Sequence, residues 1–80
     1  MSENHLHPAK AVIAKLGGPE AVATVTGKHI SRVYRWMYSK ERGGTGGVIP
    51  QRDAEKLLAH AERQGVDLHP GDFFSKEEAA

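Results

Sequence analysis

Apolar residues recur at helical spacing in two stretches of this chain, and a glycine follows each stretch. Residues at i, i+3, i+4 and i+7 lie on one face of an α-helix, so each stretch predicts a helix with one buried stripe. The two stripes are Ala9, Val12, Ile13 and Leu16, and Ala54, Leu57, Leu58 and Ala61. No alternating pattern predicts a strand, and neither a repeat nor a sustained heptad is present. The sequence therefore predicts an all-α fold.

Proline and glycine residues divide the first half of the chain into three helices. Pro8 suits the first position of a helix that Gly17 ends, and Pro19 opens a second helix. A third helix is expected at about 30–38. Residues 40–47 follow as a loop, because four glycines in five residues disfavour a helix through their backbone entropy.

The second half contains the longest predicted helix. Pro50 opens it and Gly65 ends it, with Val66 placed to fold back on its last turns. A last short turn at 69–72 then buries Phe73. The expected architecture is a compact bundle of four helices and a short fifth.

The second and third helices have the spacing of a helix-turn-helix. Ala23 allows close helix packing, and Gly27, four residues later, ends the second helix in a left-handed conformation. In the third helix Val33 and Trp36 are three residues apart and lie on one face together with Met37. We predict that this face packs into the core. The remaining side chains of this helix are expected on its other faces: Ser31, Arg32, Tyr34, Arg35 and Tyr38.

Length and composition limit the possible classes of protein. Eighty residues fit one domain, which we place at 8–74 between disordered tails at 1–7 and 75–80. The chain has no cysteine, no secretion signal and no apolar run of about 20 residues. We therefore expect a cytoplasmic protein without disulfides or membrane spans.

Charge is distributed unevenly along the chain, although the net charge is only +1. Residues 1–27 balance, residues 28–52 have a net charge of +5, and residues 53–80 have a net charge of −4. Positive potential is thus concentrated on the third helix and the loop after it, as expected for a nucleic-acid-binding surface.

These motifs together resemble a known family. The spacing of Ala23, Gly27, Val33 and Trp36 is similar to the helix-turn-helix of phage Cro and repressor proteins, and the run Val-Tyr-Arg-Trp at 33–36 followed by Gly-Thr-Gly-Gly-Val-Ile-Pro at 44–50 resembles a small bacterial group of Cro-like domains. The likeness covers about residues 9–74. It implies a lambda-repressor-like fold, sequence-specific binding of double-stranded DNA by a nucleoid-associated transcriptional regulator, and no cofactor.

The resemblance also implies roles for individual residues. Carried over by motif position, the base-contacting residues are Ile30, Ser31, Tyr34 and Arg35. The phosphate-contacting residues are Lys28, His29, Arg32, Lys40, Arg42, Thr45, Gln51 and Arg52. An arginine fork can pair both acceptors of a guanine, whereas phosphate contacts position the protein without reading sequence.

Several of these residues have structural alternatives. Arg35 could form an ion pair with an acid of the longest helix, Ser31 could cap its own helix, and Tyr34 could be a half-buried aromatic. His29 could cap, contact a phosphate or face water. The glycine loop could cradle a phosphate with its amides and Thr45, or could simply connect two helices.

Other functions have weaker support in the sequence. The five histidines are dispersed without zinc-ligand spacing, and no nucleophile motif is present, so we expect neither a metal nor catalysis nor a small-molecule substrate. The main alternative is a protein-interaction module with the same fold. RNA duplexes are less suitable because their deep, narrow groove excludes a helix.

One recognition helix reads only a few base pairs, so specific sites usually require two copies on half-sites one helical turn apart. We therefore expect a homodimer. Phe73 and Phe74 are candidates for its surface, because two adjacent phenylalanines cannot both point into one small core.

Overall fold

Four α-helices and two short 3-10 turns form the fold. A computed structural model describes residues 6–74, which contain helices α1 (Ala9–Lys15), α2 (Pro19–Thr26), α3 (Ile30–Arg35) and α4 (Gln51–Gln64). The 3-10 turns are Lys40–Arg42 and Pro70–Phe73. This part of the chain has no strand, so the all-α prediction is confirmed.

Residues 27–29 join α2 to α3, and the two helices pack against each other. Gly27 ends α2 with a left-handed φ of 73°, and its amide donates to the carbonyl of Ala23 at 2.9 Å. The Lys56 ammonium donates to the Thr26 carbonyl at 3.4 Å, so a cation of α4 stabilises the negative end of α2. The predicted glycine end of α2 is confirmed.

Helix α3 is shorter than the predicted range of 30–38. It ends at Arg35, and the amides of Trp36, Met37 and Tyr38 donate to carbonyls three residues back. The Arg35 carbonyl also accepts from the Thr45 amide at 3.0 Å. The following loop thus occupies a carbonyl that a longer helix would use, which explains the early end.

Helix α4 ends as predicted. Gly65 has a left-handed φ of 72°, and the Val66 amide donates to the Ala61 carbonyl at 2.8 Å, which folds Val66 back over the last turn. The two phenylalanines that follow separate, since Phe73 is 8% exposed and Phe74 is 57% exposed. One points into the core and its neighbour points out.

The core forms where α2 packs against α3 and α4. Its fully buried large side chains are Val12, Val22, Val33, Trp36 and Leu57. Trp36 is 2% exposed and Met37 is 3% exposed, so the predicted core face of the third helix is confirmed.

The N-terminal segment is bound to the domain from Leu6 onward. The Leu6 amide donates to the Met37 carbonyl at 2.9 Å, and the Ala9 amide donates to the Gly47 carbonyl at 3.0 Å. Leu6, which the sequence assigned to the tail, is therefore bound to the segment after α3, and the backbone of His7, assigned to the same tail, lies close to Gly47 of the glycine loop. The rest of the two predicted disordered tails, 1–5 and 75–80, lies outside the described residues.

None of the helices formed by residues 6–74 has both the length and the apolar character that a bilayer crossing requires.

Asp72 ties the last turn to α1. Its carboxylate accepts the His69 amide proton at 2.9 Å and lies 3.4 Å from the Lys15 ammonium. The hydrogen bond from the His69 amide, with a smaller contribution from Lys15, holds the pKa of Asp72 below its ordinary value of 3.8. A lowered pKa means that the stabilisation is present above the ordinary value and is lost as pH falls through the folded value.

Asp72→Asn should therefore flatten the acid limb of the stability profile. We expect the free energy of unfolding of the native chain to fall more steeply below about pH 4 than that of the variant. Urea titrations followed by circular dichroism across this range measure the difference. Glu62→Gln on α4 is the control, and identical acid limbs for Asp72→Asn and the native chain would contradict the assignment.

Candidate nucleic-acid interface

The start of α3 is capped by His29. The His29 Nδ1 accepts from the Ser31 amide at 3.1 Å, and the Ser31 hydroxyl lies 2.9 Å from the same nitrogen. Because Nδ1 accepts the hydrogen bond of the Ser31 amide, it carries no hydrogen of its own in this arrangement. Both side chains are exposed, so the two residues form a small polar cap on the surface that the sequence assigned to DNA.

The exposed face of α3 is mainly cationic. Arg32 and Arg35 are exposed beside Ser31, while Val33 on the opposite face has no exposed surface. Tyr34 is half-buried and packs against the core. The half-buried alternative for Tyr34 is thus what the structure shows.

The predicted base-contacting residues therefore differ in exposure. Ser31 and Arg35 lie fully on the surface, whereas Ile30 and Tyr34 are only partly exposed. Arginine reaches farther than any other side chain in this set, so Arg35 is the strongest candidate for a base contact.

Four of the cations predicted to contact DNA have no internal partner among the described residues. Within residues 6–74, no hydrogen bond or ion pair engages the charged group of Arg32, Arg35, Lys40 or Arg52, and all four are exposed. The ion pair between Arg35 and an acid of α4 is therefore not formed in the described structure. Arg42 is exposed as well.

The glycine loop uses its amides inside the protein. The amides of Gly44, Thr45 and Gly46 donate to the carbonyls of Ser39, Arg35 and Tyr38 at 2.8–3.0 Å. One of these bonds satisfies the last carbonyl of α3, that of Arg35, and the other two satisfy carbonyls of the segment that follows the helix. The geometry therefore favours the connector over the phosphate cradle.

Thr45 is also engaged internally. Its hydroxyl is 3.2 Å from the Trp36 carbonyl and 2.5 Å from the Val48 carbonyl, so it links the end of α3 to the segment before α4. Gln51 is exposed in the first turn of α4, where its side-chain amide donates to Glu55 at 3.4 Å. Of Thr45 and Gln51, only Gln51 can reorient its side chain toward solvent without losing hydrogen bonds that hold the loop.

Lys28 has a partner that the sequence analysis missed. Its ammonium lies 3.8 Å from Oδ2 of Asp53, which is only 2% exposed although it belongs to the first turn of α4. Helical spacing could have predicted the burial of Asp53, because residues 53, 57 and 61 share one face of α4 and all three are buried. The other oxygen of Asp53, Oδ1, has no hydrogen-bond partner among the described residues.

This pair fixes the turn between α2 and α3 against the start of α4. Lys28 precedes α3 and Asp53 lies in the first turn of α4, so the ion pair joins the turn to the start of α4. The loop after α3 is joined to the end of α3, since the Thr45 amide donates to the Arg35 carbonyl. Three segments that carry predicted DNA contacts are thus joined by internal bonds.

Gly44→Ala should test the close approach of the loop to α3. A methyl group at Gly44 would overlap the carbonyl oxygens of Tyr38 and Arg35, and both belong to the backbone. We expect a loss of about 1–3 kcal/mol in the free energy of unfolding, measured by urea titration. Gly71→Ala, where a methyl group meets no atom within 4 Å, should change stability by less than about 1 kcal/mol. Equal stabilities for the two variants would refute the packing argument.

Lys28→Ala should destabilise the fold through Asp53. The substitution leaves a buried carboxylate without its cation, which we expect to cost about 1–2 kcal/mol because Lys28 is itself partly exposed. In an Asp53→Asn background the same substitution should cost clearly less, and Lys40→Ala should be nearly neutral. A Lys28→Ala effect of equal size in both backgrounds would show that the two residues are not coupled.

Comparisons of this chain with protein families, with curated proteins and with solved structures find no match. The similarity to Cro-like domains therefore rests on the residues of the chain alone. The geometry above is the basis for the functional proposal.

Proposed function

We propose that this protein binds double-stranded DNA sequence-specifically, as a Cro- or repressor-like transcriptional regulator. In this proposal α2 and α3 act as a helix-turn-helix, and α3 enters the major groove. One observation carries the proposal: α3 buries Val33 and Trp36 while it presents Ser31, Arg32 and Arg35 to solvent.

Electrostatics support the same surface. Residues 28–52 hold a net charge of +5, and four of their cations have no partner within the described part of the chain. A cation without an internal ion pair can contact a phosphate without first losing an existing interaction. The partners available to this surface are therefore anionic.

The exposure and internal contacts of each residue support the following roles within the proposal. Arg35 is the principal base reader and Ser31 the second, while Ile30 and Tyr34 contribute by contact at the margin of the buried face. Phosphate contacts come from cations and polar groups around α3: Arg32, Lys40, Arg42 and Arg52, with His29 and Gln51 beside them. Lys28 and Thr45 act mainly inside the protein, so their share in phosphate binding is small.

The short length of α3 limits what one copy can read. Six helical residues span about 9 Å, or fewer than two turns, so only a few base edges are within reach. We therefore propose that two copies occupy half-sites one helical turn of DNA apart. Selection of bound molecules from a pool of random duplexes tests this directly, because it reports binding, sequence and half-site spacing together.

Arg35→Ala should remove discrimination between bases. We expect affinity for the selected duplex to fall about 10- to 100-fold, while affinity for a random duplex changes much less. Fluorescence anisotropy with both duplexes measures the two affinities. Arg63→Ala, an exposed cation in the last turn of α4, is the matched control and should leave both unchanged.

Equal losses on selected and random duplexes would assign Arg35 to phosphate binding. No loss on either duplex would contradict the use of α3.

Salt dependence provides a second measurement. Each phosphate contact contributes about 0.9 to the slope of log affinity against log salt concentration, so Lys40→Ala and Arg52→Ala should each lower that slope by about this amount. Titrations at several salt concentrations between about 50 and 200 mM are sufficient. An affinity that does not change with salt would instead favour the protein-interaction alternative.

A further inference from the structure

An apolar groove lies beside α4, away from the exposed face of α3. Its walls are formed by Val48, Pro50, Ala54, Leu58, Phe73 and Phe74. Val48 is 43% exposed and Phe74 is 57% exposed, and they are the two large hydrophobic side chains exposed within residues 6–74. Both lie in this groove, so the exposed apolar surface of the described chain is concentrated at one place.

The groove continues along α4. A second depression shares Glu55, Leu58 and Pro70 with the first and extends to Val66 and Leu68. The α4 residues that line the two depressions run from Gln51 to Glu62, a rise of about 17 Å, which matches about three turns of a second helix laid beside it. An apolar groove of this length is the shape that receives the apolar face of an amphipathic helix.

Carboxylates border the groove. Glu55, Glu62 and Asp67 line it, and no lysine or arginine of residues 6–74 does. The nearest cation on α1, Lys15, is bound to the Asp72 carboxylate and to the Asp67 carbonyl. His69 bonds to Asp67 at 2.7 Å. Glu55 and Glu62 form no ion pair with a cation of the described structure. The border is therefore negative.

We propose that this groove docks a cationic amphipathic helix of a partner protein. The apolar face of that helix would cover Phe74, Val48 and Leu58, and its lysines or arginines would pair with Glu55, Glu62 and Asp67. Paired carboxylates at the border also select against anionic partners, which includes DNA. The groove and the exposed face of α3 therefore receive opposite charges.

Charge opposes a symmetric pair of copies at this site. A twofold contact brings the same patch of both copies together, so two grooves bordered by carboxylates would meet. Like charges placed opposite each other oppose such an interface. The dimer surface proposed from Phe73 and Phe74 is thereby revised, since Phe73 is buried and Phe74 belongs to the docking groove.

No residue of α3 lines the groove, so docking there does not use the proposed base contacts. Apart from Gln51, which lines the groove and is a proposed phosphate contact, the two surfaces use different residues and can be occupied together. In that case the protein would bring a partner to a DNA site.

A synthetic peptide tests the proposal. We would use a fluorescent peptide of about 18 residues, with leucine at i, i+3, i+4 and i+7 and lysine elsewhere, and measure binding to the full chain by anisotropy. Two control peptides are a scrambled sequence of the same composition and a version with glutamate in place of lysine. We expect the leucine-lysine helix to bind at least about tenfold more tightly than either control. Amide chemical-shift changes should map to α4 and residues 48 and 74.

Variants of the protein locate the site. Phe74→Ser should weaken peptide binding about tenfold, and Glu55→Gln combined with Glu62→Gln about threefold at low salt. Glu20→Gln, an acid in the first turn of α2 outside the groove, is the matched control and should have no effect. Phe74 is exposed, so its substitution should leave the fold intact, which circular dichroism checks.

Three results would overturn the proposal: equal binding of all three peptides, binding that does not respond to Phe74→Ser, or no binding at millimolar peptide. Sedimentation that shows a dimer dissociated by Phe74→Ser would also overturn it, in favour of a second copy. Binding of the selected duplex by the Phe74→Ser variant is measured in parallel. This second measurement distinguishes a failure of the docking proposal from a failure of the DNA-binding proposal.

Discussion

The burial of Trp36 is the interaction on which the rest of this structure depends. Its side chain is 2% exposed at the end of α3 and packs in the same core as Val33 and Leu57. Burying a large aromatic in so small a domain fixes the rotation of α3 about its own axis. Once Val33 and Trp36 face inward, the helical period leaves Ser31, Arg32 and Arg35 outside. The cationic face is thus a consequence of the core.

The glycine loop stabilises the end of α3 through several hydrogen bonds. Amides of the glycine segment donate to the carbonyls of Arg35, Tyr38 and Ser39, and the Thr45 hydroxyl adds bonds to the Trp36 and Val48 carbonyls. Gly44 is required there because any side chain would overlap the carbonyl oxygens of Arg35 and Tyr38. The same glycines that suggested a phosphate cradle therefore hold the end of α3 in place.

Charge divides the molecule into two surfaces with different chemistry. The +5 charge of residues 28–52 belongs to the turn, α3, the loop and Arg52 in the first turn of α4, whereas carboxylates border the apolar groove beside α4. The pair of Lys28 and Asp53 lies where the turn meets α4. Large exposed apolar patches are uncommon on small domains, which supports the proposal that the groove and the cationic face bind different partners.

The sequence by itself determined the helices, most of their ends and the division between buried and exposed faces, because periodicity and glycine conformation act within a few residues. Only the tertiary structure decided that α3 stops at Arg35, that Thr45 is used internally and that Lys28 faces a buried Asp53. These three features depend on which carbonyl or carboxylate group the tertiary fold places next to each residue. Spacing along one helix does not contain that information.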